Sequence, residues 1–298
     1  MPMNPELLGN PKAERIRRVA ELANAKARRR AGRFLVEGPQ AVRELVTCHP
    51  DAVRDLYVQV DDDDHGDDAA ATRHHANAAA TVRSQIVESA VHAGIYVHRA
   101  TSDVMRHISS NAQGIAAVAE LAVLQGDPNA IEWLSAPTVA AFWQVRDPGN
   151  AGAVIRAADA AGCAAVVLVD ECVDAANPKV VRSTAGSLFH VPVLTMGTGE
   201  FFAWCASHGC SVIAADVYGT PGRPPQSLPD ALHAGTLNCS AKAVLFGNEA
   251  RGLPESILVQ SQRVVSIPIY GRAESLNLAT SAAVMLFSMA MSSRMGTM

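Results

Sequence analysis

The sequence predicts an α/β fold in two parts. A small α/β domain is expected over residues 1–125, a linker over 126–138, and a larger domain over 139–298 with a mostly parallel sheet and helices on both faces. Three observations carry this. Short apolar, β-branched runs alternate along the chain with helical stretches, as in successive βα units. The runs of the second half are apolar, as buried strands are. At 298 residues the chain exceeds one ordinary domain.

The elements follow in order. Residues 14–30 predict one helix, with Ile16, Val19, Ala20, Ala23 and Ala27 on a stripe and arginines on the other faces. Gly32–Gly38 is a short strand and turn, and Pro39–Val46 a helix with proline at its first position. A strand is expected at 53–58. The six aspartates of 61–68 and the polar Ala/His stretch to about Ala78 read as an exposed loop, with His74 and His75 solvated there. Helix 82–93, strand 95–97, helix 102–108 and strand 115–124 complete the first domain. Gly126-Asp127-Pro128-Asn129 is turn chemistry that opens the linker. Strands are then expected at 139–145, 165–170, 190–194, 211–216, 242–246 and 264–268, and helices at 151–161, 178–186, 200–208, 254–261 and 277–291. The Pro/Gly-rich stretch Tyr218–Pro229 reads as a surface loop. Helix 277–291 is apolar nearly all round and is expected to be buried.

Composition narrows the function. The chain is 49% hydrophobic and 18% charged, so it can bury a sizeable core. Its net charge of −4 hides a segregation: Lys12–Arg33 holds nine Lys/Arg against two Glu. The six cysteines (48, 163, 172, 205, 210, 239) show no C-x-x-C pair and no zinc spacing, and neither disulfides nor a metal is expected. No apolar run approaches the ~18 residues of a membrane span. A reduced, cytoplasmic setting is the expectation.

Three stretches carry candidate chemistry. In Gln144–Gly162 a strand ends at D-P-G-N and a helix begins near Ala151, with Asn150 as its expected cap. Asn150 and Arg156 stand about 120° apart around that helix, so they share a site only near its edge. In Ala243–Leu253 a strand runs straight into Gly247-Asn248-Glu249, where glycine allows close approach of a ligand. Leu253-Pro254 follows where a Walker A loop needs Lys-Ser/Thr, and Gly197-Thr198-Gly199 has Phe202 where a dinucleotide fingerprint needs glycine. In Arg263–Phe287 a strand ends at Ile267-Pro268, a polar turn follows, and Ser275-Leu276-Asn277 opens the last helix. Each polar turn lies at a strand's carboxyl end, where open α/β sheets bind ligands.

In this order the stretches N-x-G-x-x-x-R, L-F-G-N-E-x-x-G-L and I-P…S-L-N-x-x-x-A resemble the three motifs of the SpoU (TrmH-like) RNA ribose 2′-O-methyltransferases of the SPOUT superfamily. The Arg-rich segment followed by R-F-L-V-E-G-P resembles that family's N-terminal, ribosomal-protein-like RNA-binding domain. The resemblance implies a trefoil knot in the C-terminal domain and S-adenosyl-L-methionine held around Leu245, Phe246, Gly247, Ile267 and Leu276. It also implies methyl transfer to a ribose 2′-hydroxyl with Asn150, Arg156, Glu249, Ser275 and Asn277 as catalytic residues. The family's accounts make the Arg156 position the base. A guanidinium with pKa above ~12 stays protonated, so phosphate binding and polarisation of the 2′-oxygen suit it better, with Glu249 as its ion partner. Arg28, Arg29, Arg30 and Arg33 are the expected RNA contacts, since a guanidinium fork matches phosphate oxygens. The implied partner is RNA, ribosomal before transfer RNA. The implied assembly is a homodimer, with helix 277–291 a candidate contact. The rivals are a non-catalytic RNA-binding protein and a nucleotide-dependent α/β enzyme.

Overall fold

The computed structural model describes residues 3–60, 70–133, 137–237 and 241–294, the side chains of 3–5, 70–79 and 294 excepted. The acidic tract 61–68 and Cys239 lie outside them. The chain forms two compact units, Met1–Leu124 with Asp174–His190, and Gln125–Val173 with Val191–Met298.

The first unit is built on a mixed five-stranded sheet of β1 (Met3–Leu8), β2 (Arg33–Glu37), β3 (Val53–Gln59), β4 (Val97–Ala100) and β5 (Ile115–Glu120). The order is β1-β4-β3-β5-β2. β4 runs parallel to both β1 and β3, and β5 runs antiparallel to β2 and β3. β1, unforeseen from sequence, contains Pro5 and sits at the sheet edge, where a missing N–H is tolerated. The strand expected at 95–97 instead spans Val97–Ala100.

The single helix expected over 14–30 is broken. α1 (Glu14–Ala20) passes through a 3₁₀ turn to Asn24, which is extended at φ −93° and ψ 130°. The Asn24 side chain accepts from Lys26 N at 2.9 Å and starts α2 (Ala25–Ala31). An asparagine that caps a new helix competes with continuing the old one. The break turns Arg28 inward, to 2% exposure. α3 (Pro39–Cys48), α4 (Ala70–His92) and α5 (Ser102–Ile108) complete the unit's helices from the N-terminal stretch. α4 starts well before the expected 82, because the alanine-rich stretch read as loop has high helix propensity. The core joins Ile16, Leu35, Tyr57, Val104, Met105 and Val118. α7 (Pro178–Ser183) belongs to this unit, and its Arg182 pairs with Glu37, a buried carboxylate that also accepts from Ser109.

The second unit is built on seven strands, with neighbouring strands parallel throughout the described residues: β6 (Thr138–Trp143), β7 (Ala165–Val169), β8 (Val193–Met196), β9 (Cys210–Ala215), β10 (Gln226–Ser227), β11 (Ala241–Phe246) and β12 (Arg263–Ser266). The order is β10-β12-β9-β11-β6-β7-β8. Its helices are α6 (Pro148–Ala160), α8 (Thr198–Ser207), α9 (Leu228–His233), α10 (Glu255–Gln260) and α11 (Leu278–Arg294). Buried Val139, Val167, Phe201, Val212, Leu245 and Ile257 share one core. The stretch read as the loop Tyr218–Pro229 contains β10 and the start of α9, where Ser227 caps the helix through Asp230 N. α11 is buried on one side only. Ala282, Met285, Leu286 and Met289 face in, while Val284, Phe287 and Met291 are 38%, 37% and 58% exposed.

Candidate active site

The site forms where β6, β11 and β12 end, on neighbouring parts of one parallel sheet. In-register Phe142 and Phe246 stack at 5.2 Å beneath it. Beyond β6, Gln144 takes a left-handed φ of 52°, a conformation that non-glycine residues seldom adopt. The chain then enters α6, and its cap is Asp147, whose Oδ1 accepts from Asn150 N at 2.7 Å. Pro148 occupies the first turn, where no N–H is needed. Asn150 is therefore not the cap, and its side chain is available for longer-range bonds.

Those bonds join the three motifs. Asn150 Nδ2 donates to Glu249 Oε1 at 3.0 Å, and Asn150 Oδ1 accepts from Asn277 Nδ2 at 3.1 Å. Asn277 is fixed in turn, since its Oδ1 accepts from Ala279 N at 2.9 Å at the entrance to α11. Asn248 ties the second motif to the first: its Nδ2 donates to Gln144 O at 2.8 Å, and its Oδ1 accepts from Ala250 N at 3.0 Å.

Gly247 has a different reason from the one expected. A Cβ there would lie 2.4 Å from Gly252 C and 2.7 Å from Leu253 N. The loop's own backbone, folded back by the Asn248–Gly252 pairing, fills the space. Gly252 closes the turn at φ 64°.

Two clefts flank this loop. The larger, about 470 Å³, is bordered by Phe246, Gly247, Ile267, Ser275 and Leu276, with Asp216 and Glu274 among its carboxylates. Asp216 is oriented by Tyr218 N and Gly219 N, at 2.9 and 2.7 Å. The smaller, about 380 Å³, is bordered by Gln144, Arg146, Asp147, Asn150 and the loop Asn248–Arg251. Asn248, Glu249, Ala250 and Arg251 border both.

The expected residues thus divide. Glu249 and Ser275 border the larger cleft, and Asn150 and Asn277 meet beside Glu249. Of the expected cofactor residues, Phe246, Gly247, Ile267 and Leu276 border that cleft, whereas the Leu245 side chain is fully buried in the core. Arg156 borders neither cleft; it is exposed on α6 with no hydrogen bond or ion pair among the described residues. Glu249 is bonded to Asn150, so the expected Arg156–Glu249 pair does not form.

In the first unit, Arg28 pairs with Asp174 at 2.6 Å and donates to Leu22 O and Ala23 O, at 3.0 and 2.8 Å. It is withdrawn from any phosphate. Arg29 is exposed, while Arg30 and Arg33 make loose pairs with Glu21 and Glu120 at 3.6 and 3.5 Å. Asp147 as cap was open to reading, since Asp stands three residues before Asn150 in a D-P turn. The roles of Gln144, Asn248 and Asp216 had no such local signal.

Residues 137–287 match the SpoU rRNA Methylase family, and residues 13–117 match the MRM3-like substrate binding domain. The chain is 38% identical over 146 residues to the 23S rRNA guanosine 2′-O-methyltransferase RlmP of Bacillus subtilis, covering 48% of this chain and 54% of that one. It therefore spans about half the length of that relative. It is 26% identical over 256 residues to the 23S rRNA guanosine 2′-O-methyltransferase RlmB of Neisseria meningitidis, covering 84% and 92% of the two chains. The crystal structure of the SpoU methyltransferase AviRb from Streptomyces viridochromogenes in complex with AdoMet is similar at a TM-score of 0.71 and 25% identity, covering 95% and 99%.

Proposed function

Because the chain belongs to the SpoU rRNA methylase family, we propose that it transfers a methyl group from S-adenosyl-L-methionine to a ribose 2′-hydroxyl, in ribosomal RNA. The observation that carries this is the Asn277–Asn150–Glu249 chain of hydrogen bonds, which gathers one residue from each motif beside two adjoining clefts. A fold kept only for binding RNA has no use for that convergence. The names of the relatives favour ribosomal over transfer RNA.

The larger cleft fits the cofactor. Ile267, Leu276 and Phe246 offer an apolar slot for a purine, with main-chain groups at Gly247 and Ser266 beside it, and Asp216 and Glu274 suit a cationic ligand. The bound cofactor supplies a methyl group on a sulfonium, already a good leaving group. What remains for the protein is alignment and management of the hydroxyl proton. Glu249, shared by both clefts, and Asn150 orient the attacking ribose, with Ser275 at the cofactor side. Arg156 meets the RNA along the exposed face of α6 and, always protonated, stabilises negative charge rather than removing the proton.

The remaining features belong to the same reading. The trefoil knot is supported by the inner sheet positions of the last strands, β11 between β9 and β6, and β12 between β10 and β9. A homodimer is supported by the exposed apolar side of α11, at Val284, Phe287 and Met291. No described helix is long and apolar enough to cross a membrane, and a cytoplasmic location suits a ribosomal substrate. No metal is required by this chemistry.

The test is to map 2′-O-methyl groups in RNA from cells with and without the protein, and to follow labelled methyl transfer in vitro. A ribosomal position lost with the protein and restored by it supports the proposal. An unchanged map together with no transfer to any RNA overturns it.

A further inference from the structure

We propose that the smaller cleft receives the ribose and flanking phosphates of the target nucleotide, and that Arg146 and Arg251 anchor those phosphates. The inference rests on the methyl-transfer reading above and assigns a site and two residues to its RNA side.

Position is the first support. The two clefts share the loop Asn248–Arg251 as a common wall. With the methyl donor in the larger cleft, the attacking oxygen must approach across that wall, at Glu249. Lining is the second. The larger cleft has Phe, Val, Ile and Leu side chains, but the smaller has only Ala250 as an apolar residue. These residues bring polar ends that can meet hydroxyls and phosphate, although most of the surface they expose there is carbon. Its volume, about 380 Å³, is within the roughly 300–1,000 Å³ usual for ligand clefts.

Charge is the third support. The carboxylates in the lining are engaged: Asp147 accepts from Asn150 N, and Glu249 from Asn150 Nδ2. The cations are not similarly held. Arg251 is exposed, with no hydrogen bond or ion pair among the described residues. Arg146 reaches Glu171 only at 3.4 Å, with the two side chains 57% and 85% exposed. So open a pair is worth little and exchanges readily for a phosphate. Guanidinium forks bind phosphate oxygens in pairs, and two of them at one cleft suit successive phosphates.

The experiment compares wild type with Arg251→Gln, Arg146→Gln, the double variant and Arg251→Lys. Steady-state methyl transfer to RNA, direct RNA binding at several salt concentrations, and S-adenosyl-L-methionine affinity by calorimetry are all measured. The double variant is expected to raise KM for RNA at least tenfold with kcat at saturating RNA within threefold. Its binding slope against log salt should be shallower by about 0.7–0.9 per arginine, with cofactor affinity unchanged. Arg251→Lys should keep the slope but recover only part of the affinity, having lost the fork. An unchanged KM and slope would overturn the assignment, as would a fall in cofactor affinity, which would make these arginines part of the cofactor's site. Both residues are exposed, so thermal unfolding should match wild type. If wild type itself transfers no methyl group, the enzymatic reading fails, while the binding slopes still decide whether these arginines hold RNA.

Discussion

Asn150 donates to Glu249 at 3.0 Å across ninety-nine residues of chain, and the same side chain accepts from Asn277 at 3.1 Å. One amide therefore holds the turns after β6, β11 and β12 in mutual register. Asn150→Ala removes both bonds, one of them to a carboxylate, and turnover should fall roughly 10- to 100-fold, as losing a charge-assisted hydrogen bond does. Asn150→Asp should be worse, because it sets a second negative charge against Glu249. Asn150 is half-buried and Glu249 exposed, so unfolding midpoints should move little. Full turnover in the alanine variant would mean the register is set elsewhere.

Arg156 tests a different feature, because it stands exposed on α6 outside both clefts. Arg156→Ala should abolish methyl transfer while leaving S-adenosyl-L-methionine affinity within a few-fold. Arg156→Lys should also be nearly inactive if a planar fork is needed. Substantial activity of the lysine variant would reduce the role to charge alone, and loss of cofactor binding would tie the residue to the larger cleft.

Gly247→Val should disrupt the loop. Its Cβ would stand 2.4 Å from Gly252 C, which is backbone and cannot swing aside. The Asn248–Gly252 pairing would open, and cofactor binding should weaken by ~1–3 kcal/mol, the usual cost of overpacking. RNA binding by the first unit should survive. Calorimetry showing wild-type cofactor affinity would show that the loop's fold does not matter to the larger cleft.

Much of the second unit was legible because parallel strands are short, apolar and punctuated by turn residues. Arg156 on α6 and Asn277 at the entrance to α11 follow from local chemistry, whereas the cap falls on Asp147 and not on the expected Asn150. What was not legible depends on distance. Nothing near Asn150 says that its partners are Glu249 and Asn277, and nothing near Gly247 says that Gly252 folds back on it. Arg28 looked like its arginine neighbours until the Asn24 break rotated it toward Asp174. β1 was hidden by its proline, which only an edge position excuses. The exposed side of α11 was hidden because a helix with apolar residues all round gives no sign of which side is left uncovered.

Asp170 offers a pH test of the second unit. Burial pushes its carboxyl pKa up, but this is outweighed by bonds from the Thr198 hydroxyl and N–H, at 2.5 and 2.8 Å, and from the Trp143 indole, at 2.9 Å, so the pKa is lowered. A lowered folded pKa means stability that is full above the ordinary carboxylate value of ~3.9 and lost as pH falls through the folded value. Asp170→Asn should therefore be less stable than wild type at neutral pH, with the difference shrinking on acidification below about pH 4. Denaturant titrations at several pH values check this, and a difference constant with pH would remove Asp170 from the acid response.

The basic segment gives the last prediction, altered by the position of Arg28. Arg28 is 2% exposed and bonded to Asp174, Leu22 O and Ala23 O. Arg28→Gln should therefore cost stability, roughly 1–3 kcal/mol given that Asp174 is partly solvated, and should not act on RNA directly. Arg29, Arg30 and Arg33 are the ones free to reach phosphates, since their pairs with acidic residues are loose or absent among the described residues. Replacing these three with Gln should weaken binding of all RNA sequences alike. The slope of log affinity against log salt should become shallower by about 0.7–0.9 for each phosphate no longer neutralised. S-adenosyl-L-methionine affinity should not change, because the larger cleft is formed wholly within the second unit. If the three-residue variant keeps the wild-type slope, these arginines are ordinary surface charge, and RNA is held by the second unit alone.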